Sequence, residues 1–439
     1  MASVTTQQVE KGSHKSSFVL RLALYFILLT PLWWFLGIEQ FIWPILGAFL
    51  LVLQRRILVF SPIKFLIALI SIQIFSIALI EESIRYYTYG RQLLTSIGSV
   101  LFLTVVTSSI KSFDDIRFLI RGISLFFTVA GFLGIFAITG FWNGYFLAPI
   151  EMFLPESVQS TSYGERIVFK YLGQPGYFTF IGEYIRVSSL WLYPTTYAMA
   201  IVAFFPLSLW AMQADKPRYR SLHILAIILM FINLVFTTGR MAMLGLLLGG
   251  VYFMFSQKRF FWISVVAVGF VPILFSILEG SHLNSIGNVI SSLVVARGEG
   301  SFIDRVRIYR ATFEGWLERP VLGWGTEQDI EGFAYPAGSH SFWGGTLYKY
   351  GLVGLSILLL ALWKTWRSIV CSKKKAKVLE LREVYNMLRF IQWSFIAVGV
   401  NGITDSWDLD SITYLLIWLI LGLGIVSSRL IGGKANGKG

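Results

Sequence analysis

The sequence predicts an all-α, polytopic integral membrane protein. It has about twelve transmembrane helices, both termini cytoplasmic, and two long extracytoplasmic loops of which the second is partly helical. Three observations lead there. Only 14% of the 439 residues are charged and 55% are hydrophobic, whereas a soluble domain carries about 25% charged residues. Apolar runs close to the ~20 residues that cross a bilayer recur along the whole length. Basic residues are sorted to alternate connections between those runs, the bias that orients a membrane chain.

The elements follow in chain order. Residues 1–16, "MASVTTQQVEKGSHKS", form a polar cytoplasmic tail without the small-residue cleavage site of a signal peptide. An N-terminal transmembrane bundle over 17–140 comes from apolar stretches at roughly 18–37, 41–54, 62–80, 92–110 and 119–140. A first long outer loop, 141–186, is rich in Gly, Tyr and Phe. Central helices over 187–279 come from stretches at 187–210, 221–237, 241–256 and 260–279. The run from 221 to 256 is interrupted only by "TTGR" and exceeds one crossing, so Thr237 to Arg240 mark the tip of a hairpin. In the second long loop, 280–345, Phe302, Val306, Tyr309, Phe313 and Trp316 recur at helical steps of four and three. Ser301 is placed to cap that surface helix and Pro320 to stop it. The C-terminal helices, 346–430, come from stretches at 346–366, 389–403 and 411–429, and 431–439 is a cytoplasmic tail.

With spans alternating from a cytoplasmic start, 25 of the 37 lysines and arginines fall inside, in "LQRR", "KPRYR", "QKRF", "CSKKKAK" and their surroundings. Lys170 and Lys349 are the only lysines outside, where 18 of the 24 acidic residues lie. The net charge of +13 is therefore an orientation signal and not the basic face of a nucleic-acid-binding protein. Cys371 is the sole cysteine, which excludes an intrachain disulfide and a cysteine-based metal site.

On this topology His340 stands on the outer face, just before the tenth span. Arg186 closes the first long loop, Arg240 sits at the hairpin tip, and Arg305 lies on the surface helix. Each arginine has a plainer use, snorkelling to headgroups. Their shared face, where lysine is nearly absent, points instead to phosphate, because guanidinium grips phosphate oxygens with a planar fork that ammonium lacks. An imidazole with an ordinary pKa near 6.5 can take a proton from a hydroxyl at neutral pH. A solvated loop histidine remains the alternative for His340. His14, His223 and His282 have no comparable setting.

"HSFWGGTLYKYGLVG", from His340 through Gly351 to Gly354, resembles the outer-face signature of the bacterial O-antigen ligase and O-antigen polymerase superfamily. "DRVRIYRATFEGWLERPVLGWGT" resembles its Arg, aromatic, Pro-x-x-Gly-x-Gly segment through Arg305, Tyr309, Pro320, Gly323 and Gly325. "TTGRMAMLG" resembles the Ser/Thr-x-Arg hairpin at Arg240, and "RVSSLWLYPTTYAMA" the Arg to Pro-x-x-x-Ala segment at Arg186 and Pro194. The resemblance covers roughly 186–366; the flanking spans agree by topology alone.

The resemblance implies a metal-independent inverting glycosyltransferase without cofactor, working at the outer face of the bacterial cytoplasmic membrane. Its donor would be a glycan on undecaprenyl pyrophosphate, and its acceptor a glycan or lipid-glycan. Membrane lipids, a flippase and a chain-length regulator are the partners it brings in; nucleic acid is not among them. Arg240 and Arg305 would hold the pyrophosphate with help from Arg186, and His340 would orient or deprotonate the acceptor hydroxyl. The motif glycines would admit backbone close to sugar. Tyr309, Trp324 and Trp343 are the substrate-binding candidates, with Trp316 and Phe342 as further flat faces; an interfacial aromatic belt is the alternative for these rings. Polymerase is the preferred activity because two sizeable outer loops leave room for two glycans. A ligase acting on lipid A core or another envelope acceptor is the alternative within the class, and a lipid-linked glycan flippase the alternative from another class. Asp405, Asp408 and Asp410 in "TDSWDLD" read as a solvated loop rather than a cation site. Glu81 and Glu82 either sit near an acceptor groove or end the third span.

Overall fold

The computed structural model describes residues 17–82, 85–142, 144–179, 182–255, 298–333 and 335–435. Within them the protein is mainly helical and has the build of a multi-pass membrane protein. Seven described helices are long and apolar enough to cross a bilayer, or eight if the bent N-terminal pair counts as one span. The ninth expected stretch, 260–279, lies outside the described residues, as do His14, His282, the N-terminal tail and residues 436–439.

Breakers and caps set the helix ends. Helices α1 (Phe18–Leu28) and α2 (Thr30–Leu36) meet at a 47° bend where Pro31 starts a new first turn. Gly37, at φ 80°, closes α2 in the left-handed conformation. Helix α3 (Ile42–Leu53) is short; α4 (Ser61–Phe75) continues into a 3-10 turn over Ser76–Leu79. Helix α5 runs Arg85–Ser109, opening earlier than the apolar pattern alone suggests. Helix α6 (Phe113–Ile138) opens on a capping box between Ser112 and Asp115.

Among the described residues the first long loop contains two β-hairpins. Strands β1 (Tyr145–Leu147) and β2 (Phe169–Tyr171) pair antiparallel, with short helices α7 (Glu156–Gln159) and α8 (Ser162–Val168) between them. Strands β3 (Gly173–Thr179) and β4 (Gly182–Val187) form the second pair. Its Tyr and Phe residues are strand formers, which composition alone did not turn into strands. Val187 therefore ends a strand, and α9 (Pro194–Ala214) begins at Pro194 rather than at 187. Helix α10 (Pro217–Thr237) turns at Thr238, φ 53°, into α11 (Arg240–Phe255), the expected hairpin.

Helix α12 (Gly298–Glu318) is the surface helix, so Ser301 lies inside its first turns rather than ahead of them. Its packed face also differs from expectation. Ile308 and Thr312 are buried, whereas Val306 and Phe313 are exposed. A small surface at Gly315, whose missing Cβ makes room for the Tyr348 ring, lets α12 lie close against α13 (Phe342–Val378). Helix α13 runs past 366 through the lysine cluster, and α14 (Arg382–Asn401) and α15 (Ser411–Ala435) complete the bundle. The centre of the bundle is α9 and α15: Tyr197 to Phe204 and Leu415 to Leu421 are buried along unbroken runs, the signature of helices covered on all sides.

The connections at each end of the bundle are tied to one another. At one end Arg117 meets Glu383, and Arg121 grips Asp215 through bonds of 2.9 and 2.6 Å. There His223, buried, bridges Asp215 at 3.1 Å and the Ser124 hydroxyl at 2.9 Å, a setting the sequence did not reveal. The other end carries the site.

Candidate functional site

The site end is organised by the turn between α14 and α15. The Phe342 N–H donates to the Gly402 carbonyl at 2.9 Å. Ser341 caps α13 by accepting from the Gly344 N–H at 3.1 Å, and its hydroxyl also reaches the Gly402 carbonyl. The Phe342 ring stacks on Trp407 with centroids 4.0 Å apart. These bonds fix His340 one residue ahead of the cap, at φ 54°. Left-handed backbone is uncommon outside glycine, though histidine visits it more than most, and it marks a position held by its surroundings.

Helix α12 brings two of the expected partners to His340. The Tyr309 hydroxyl donates to the His340 carbonyl at 3.2 Å. Arg305 donates to the Thr404 carbonyl at 3.5 Å and stands 4.0 Å from the Asp405 carboxylate. The imidazole packs edge-on to the Tyr335 ring at 5.0 Å, and among the described residues its ring nitrogens have no hydrogen-bond partner. Burial, then the Arg305 cation, push the His340 pKa down to about 4. The ring is thus neutral at pH 7, with lone pair available. Burial raises the Tyr309 hydroxyl, against the pull of Arg305, so that group stays a donor.

Arg186 and Arg240 come together separately. Arg186, buried on β4, donates its Nε–H to the Thr237 carbonyl at 2.9 Å, at the tip of the α10–α11 hairpin. Arg240 is the first residue of α11, and its backbone N–H bonds Thr238. Helices α11 and α14 run antiparallel and touching. Gly249 abuts Trp393, Gly245 abuts Ala397, and the Arg389 guanidinium reaches the Phe253 carbonyl at 2.5 Å. Continued one residue against one, this register sets Arg240 level with Gly402, the residue that anchors the His340 segment. The two groups therefore occupy the same end of the bundle, on either side of the α14 terminus.

The Pro-x-x-Gly-x-Gly segment has a job of its own. Helix α13 is broken at Gly351, φ 61° and ψ −164°. The break leaves backbone groups without helical partners, and residues 320–325 supply them. Leu352 and Val353 donate to the Pro320 and Val321 carbonyls at 2.9 and 3.2 Å; Tyr348 and Lys349 carbonyls accept from Trp324 and Gly325 at 3.0 and 2.8 Å. A side chain at Gly351 or Gly323 would run into this backbone, and one at Gly325 into the Ser76 carbonyl. These glycines permit close approach of protein to protein, which corrects the expectation that they make room for sugar.

The aromatic candidates are also committed to packing. Trp324 donates its indole N–H to the Gly315 carbonyl at 2.8 Å and lies under the Arg319 guanidinium, 3.9 Å from the ring centre. Trp343 donates to Gly399 at 3.1 Å. Trp316 donates to Pro320 at 3.1 Å. Each retains only ring surface for anything else.

Sequence reasoning missed a buried ionic network behind the site. Asp408 is not solvated: it is buried and bonds Lys349 at 2.9 Å, while Glu327 stands 3.8 Å from the same ammonium. Burial opposes ionisation of Asp408, but Lys349 and then Arg91 hold its carboxyl below the usual range. Arg91 donates to the Asp408 and Leu409 carbonyls, both at 3.1 Å, and packs over the Tyr163 ring. Asp410, fully buried, accepts from the N–H groups of Leu192, Ile412 and Thr413, and burial pushes its pKa up to about 6. Lys170 and Glu39 form a second buried pair at 2.5 Å. The three aspartates thus point at three different partners, and no group of ligands able to hold a metal occurs among the described residues. Glu81 pairs with Arg319 and Glu82 with Arg85, fastening the start of α5 and the end of α12. Lys170 and Lys349, the two lysines expected outside, were the available signal: a lone lysine at a membrane boundary asks for a partner.

Residues 225–359 match the family described as O-antigen ligase. The match runs from α10 into α13 and takes in Arg240, Arg305, Tyr309, Trp324, His340 and Trp343; Arg186 lies before it. It supports placing the chain in the O-antigen ligase and polymerase superfamily, as the sequence motifs indicate. That family is one of glycosyl-transferring enzymes. No curated protein matches the chain.

Proposed function

We propose that the protein is an inverting glycosyltransferase that uses a glycan on undecaprenyl pyrophosphate as donor and extends surface polysaccharide at the outer face of the bacterial cytoplasmic membrane. The observation that carries this reading is a neutral imidazole, His340, whose ring nitrogens have no hydrogen-bond partner among the described residues, set beside Arg305 and Tyr309 at the end of the bundle that also holds Arg186 and Arg240. His340 accepts the proton of the acceptor hydroxyl as its oxygen attacks the anomeric carbon. The bond from that carbon to the pyrophosphate oxygen breaks, and the lipid pyrophosphate leaves. Arg240 and Arg305, assisted by Arg186, stabilise the charge that grows on the leaving group, which helps the transition state more than the ground state. Tyr309 secures the His340 backbone, and the ring faces of Trp324 and Trp343 are the remaining sugar contacts. Both termini are cytoplasmic in this reading, consistent with the lysine cluster at the far end of α13. The description of the matched family favours a second acceptor, lipid A core or another envelope molecule, which would make the enzyme a ligase.

The test is a reconstituted reaction with lipid-linked glycan, chelator present, and either a second lipid-linked glycan or lipid A core as acceptor. Longer glycan on lipid supports polymerase; glycan on core supports ligase. Movement of the glycan lipid across the bilayer without any new glycosidic bond would replace both readings with a flippase.

A further inference from the structure

The first outer hairpin carries an apolar surface that the site does not use. From Phe136 to Pro155 the sequence "FAITGFWNGYFLAPIEMFLP" contains a single charged residue, Glu151. Yet Phe141, Met152 and Phe153 are 78, 78 and 80% exposed, and Tyr145 and Leu147 about half exposed. Soluble surfaces rarely leave such side chains contiguous and open.

Packing places this surface at the bilayer boundary rather than above it. Ile150 and Ala148 sit directly on Gly37, the residue that ends α2. Phe146 packs between Trp34 and Phe35 of α2, with centroids 5.4 and 5.1 Å away, and Phe141 packs on Phe136 of α6 at 5.2 Å. Helices α1 and α2 hold 11 and 7 residues, a path of roughly 27 Å at 1.5 Å per residue. The hydrocarbon core is about 30 Å thick, so the end of α2 has not risen clear of it. The patch continues the exposed flanks of the spans themselves, through Leu32 and Phe35 of α2 and Phe132 and Phe136 of α6. Trp142 and Tyr145, at its rim, are the residues that favour the membrane–water interface.

We infer that the segment Phe141–Phe153 is a membrane-seated wedge whose partner is the lipid surface, with the Pro149–Phe153 turn inserted into the leaflet on the site side. It moors the hairpin whose other strand, β2, is tied down by the Lys170–Glu39 pair and leads through β3 and β4 to Arg186. The inference stands independently of the reaction catalysed.

The test uses the full chain in lipid nanodiscs with Cys371→Ser, so that one cysteine at a time takes an environment-sensitive fluorophore. Met152→Cys and Phe153→Cys are compared with Glu156→Cys, on the exposed polar side of the same loop. Blue-shifted emission at 152 and 153, losing most of its intensity to nitroxide-labelled lipid and little to aqueous iodide, is the expected result. Quenching by iodide and not by lipid would overturn the inference. Protection from both quenchers would overturn it too, by assigning the patch to a protein partner or a second copy of this chain.

Discussion

The pH dependence of turnover is the sharpest consequence of the geometry at His340. Two causes lower its pKa, burial first and the Arg305 guanidinium second, to about 4. A base must be unprotonated, so activity is present above the folded pKa and lost as pH falls through it. At about pH 5 an ordinary imidazole with pKa 6.5 would be neutral in roughly 3% of molecules, whereas one at 4 is neutral in roughly 90%. The acid limb of kcat/KM, which reports the free enzyme, therefore falls near 4 and leaves turnover at pH 5 roughly thirtyfold above the ordinary expectation. Arg305→Gln removes the second cause and leaves the first, so the limb moves upward but stops short of 6.5. The assay is initial rate against pH in proteoliposomes, with recovery of rate on return to neutral pH as the check on integrity. An acid limb at 6.5 or above in the unmutated protein, or one that does not move in Arg305→Gln, would refute the assignment of His340 as a base beside that cation.

Three further outcomes follow from the packing around the site. Gly351→Ala forces a side chain into left-handed backbone and against the Val321 carbonyl, so melting in detergent should drop by an amount equivalent to at least ~1–3 kcal/mol. Gly399→Ala, with open space around it, should melt normally. Lys349→Ala strands Asp408 and Glu327 as buried acids and should cost about 3–5 kcal/mol of stability, measured the same way, with Lys349→Arg losing less. Trp324→Phe loses one hydrogen bond, worth about 0.5–1.5 kcal/mol, but keeps a ring face for sugar, so its KM for glycan should stay within about twofold of wild type; a large rise in KM would show that the indole N–H itself, and not the ring face, holds the glycan.

Much of the frame was legible because its signals are local. "TTGR" turns a hairpin where the apolar run grows too long, and Pro320 follows just past the end of α12. The order of motifs carried the similarity that residues 225–359 show to the family described as O-antigen ligase. What could not be read involves pairings across the chain. Lys170 and Glu39 are 131 positions apart and Lys349 and Asp408 are 59 apart, so each appears in sequence as an isolated charge. The break at Gly351 is hidden because the apolar pattern continues through it, and its repair comes from a segment some thirty residues earlier. The face of α12 was misjudged for a related reason: helical periodicity finds an apolar stripe, but in a membrane protein that stripe is free to face outward while Ile308, Thr312 and Gly315 make the contact.

The central claim is that His340 serves the acceptor while the arginines serve the donor, and separating binding from turnover tests it most directly. Equilibrium binding of lipid-linked glycan and single-turnover transfer are measured on the same purified His340→Ala and Arg240→Lys variants. His340→Ala should bind donor as the unmutated protein does and lose about 10²–10⁴ in rate. Arg240→Lys keeps charge but not the planar fork, so donor affinity should fall together with rate. Near-normal turnover in His340→Ala would contradict the account and leave His340 a packing residue.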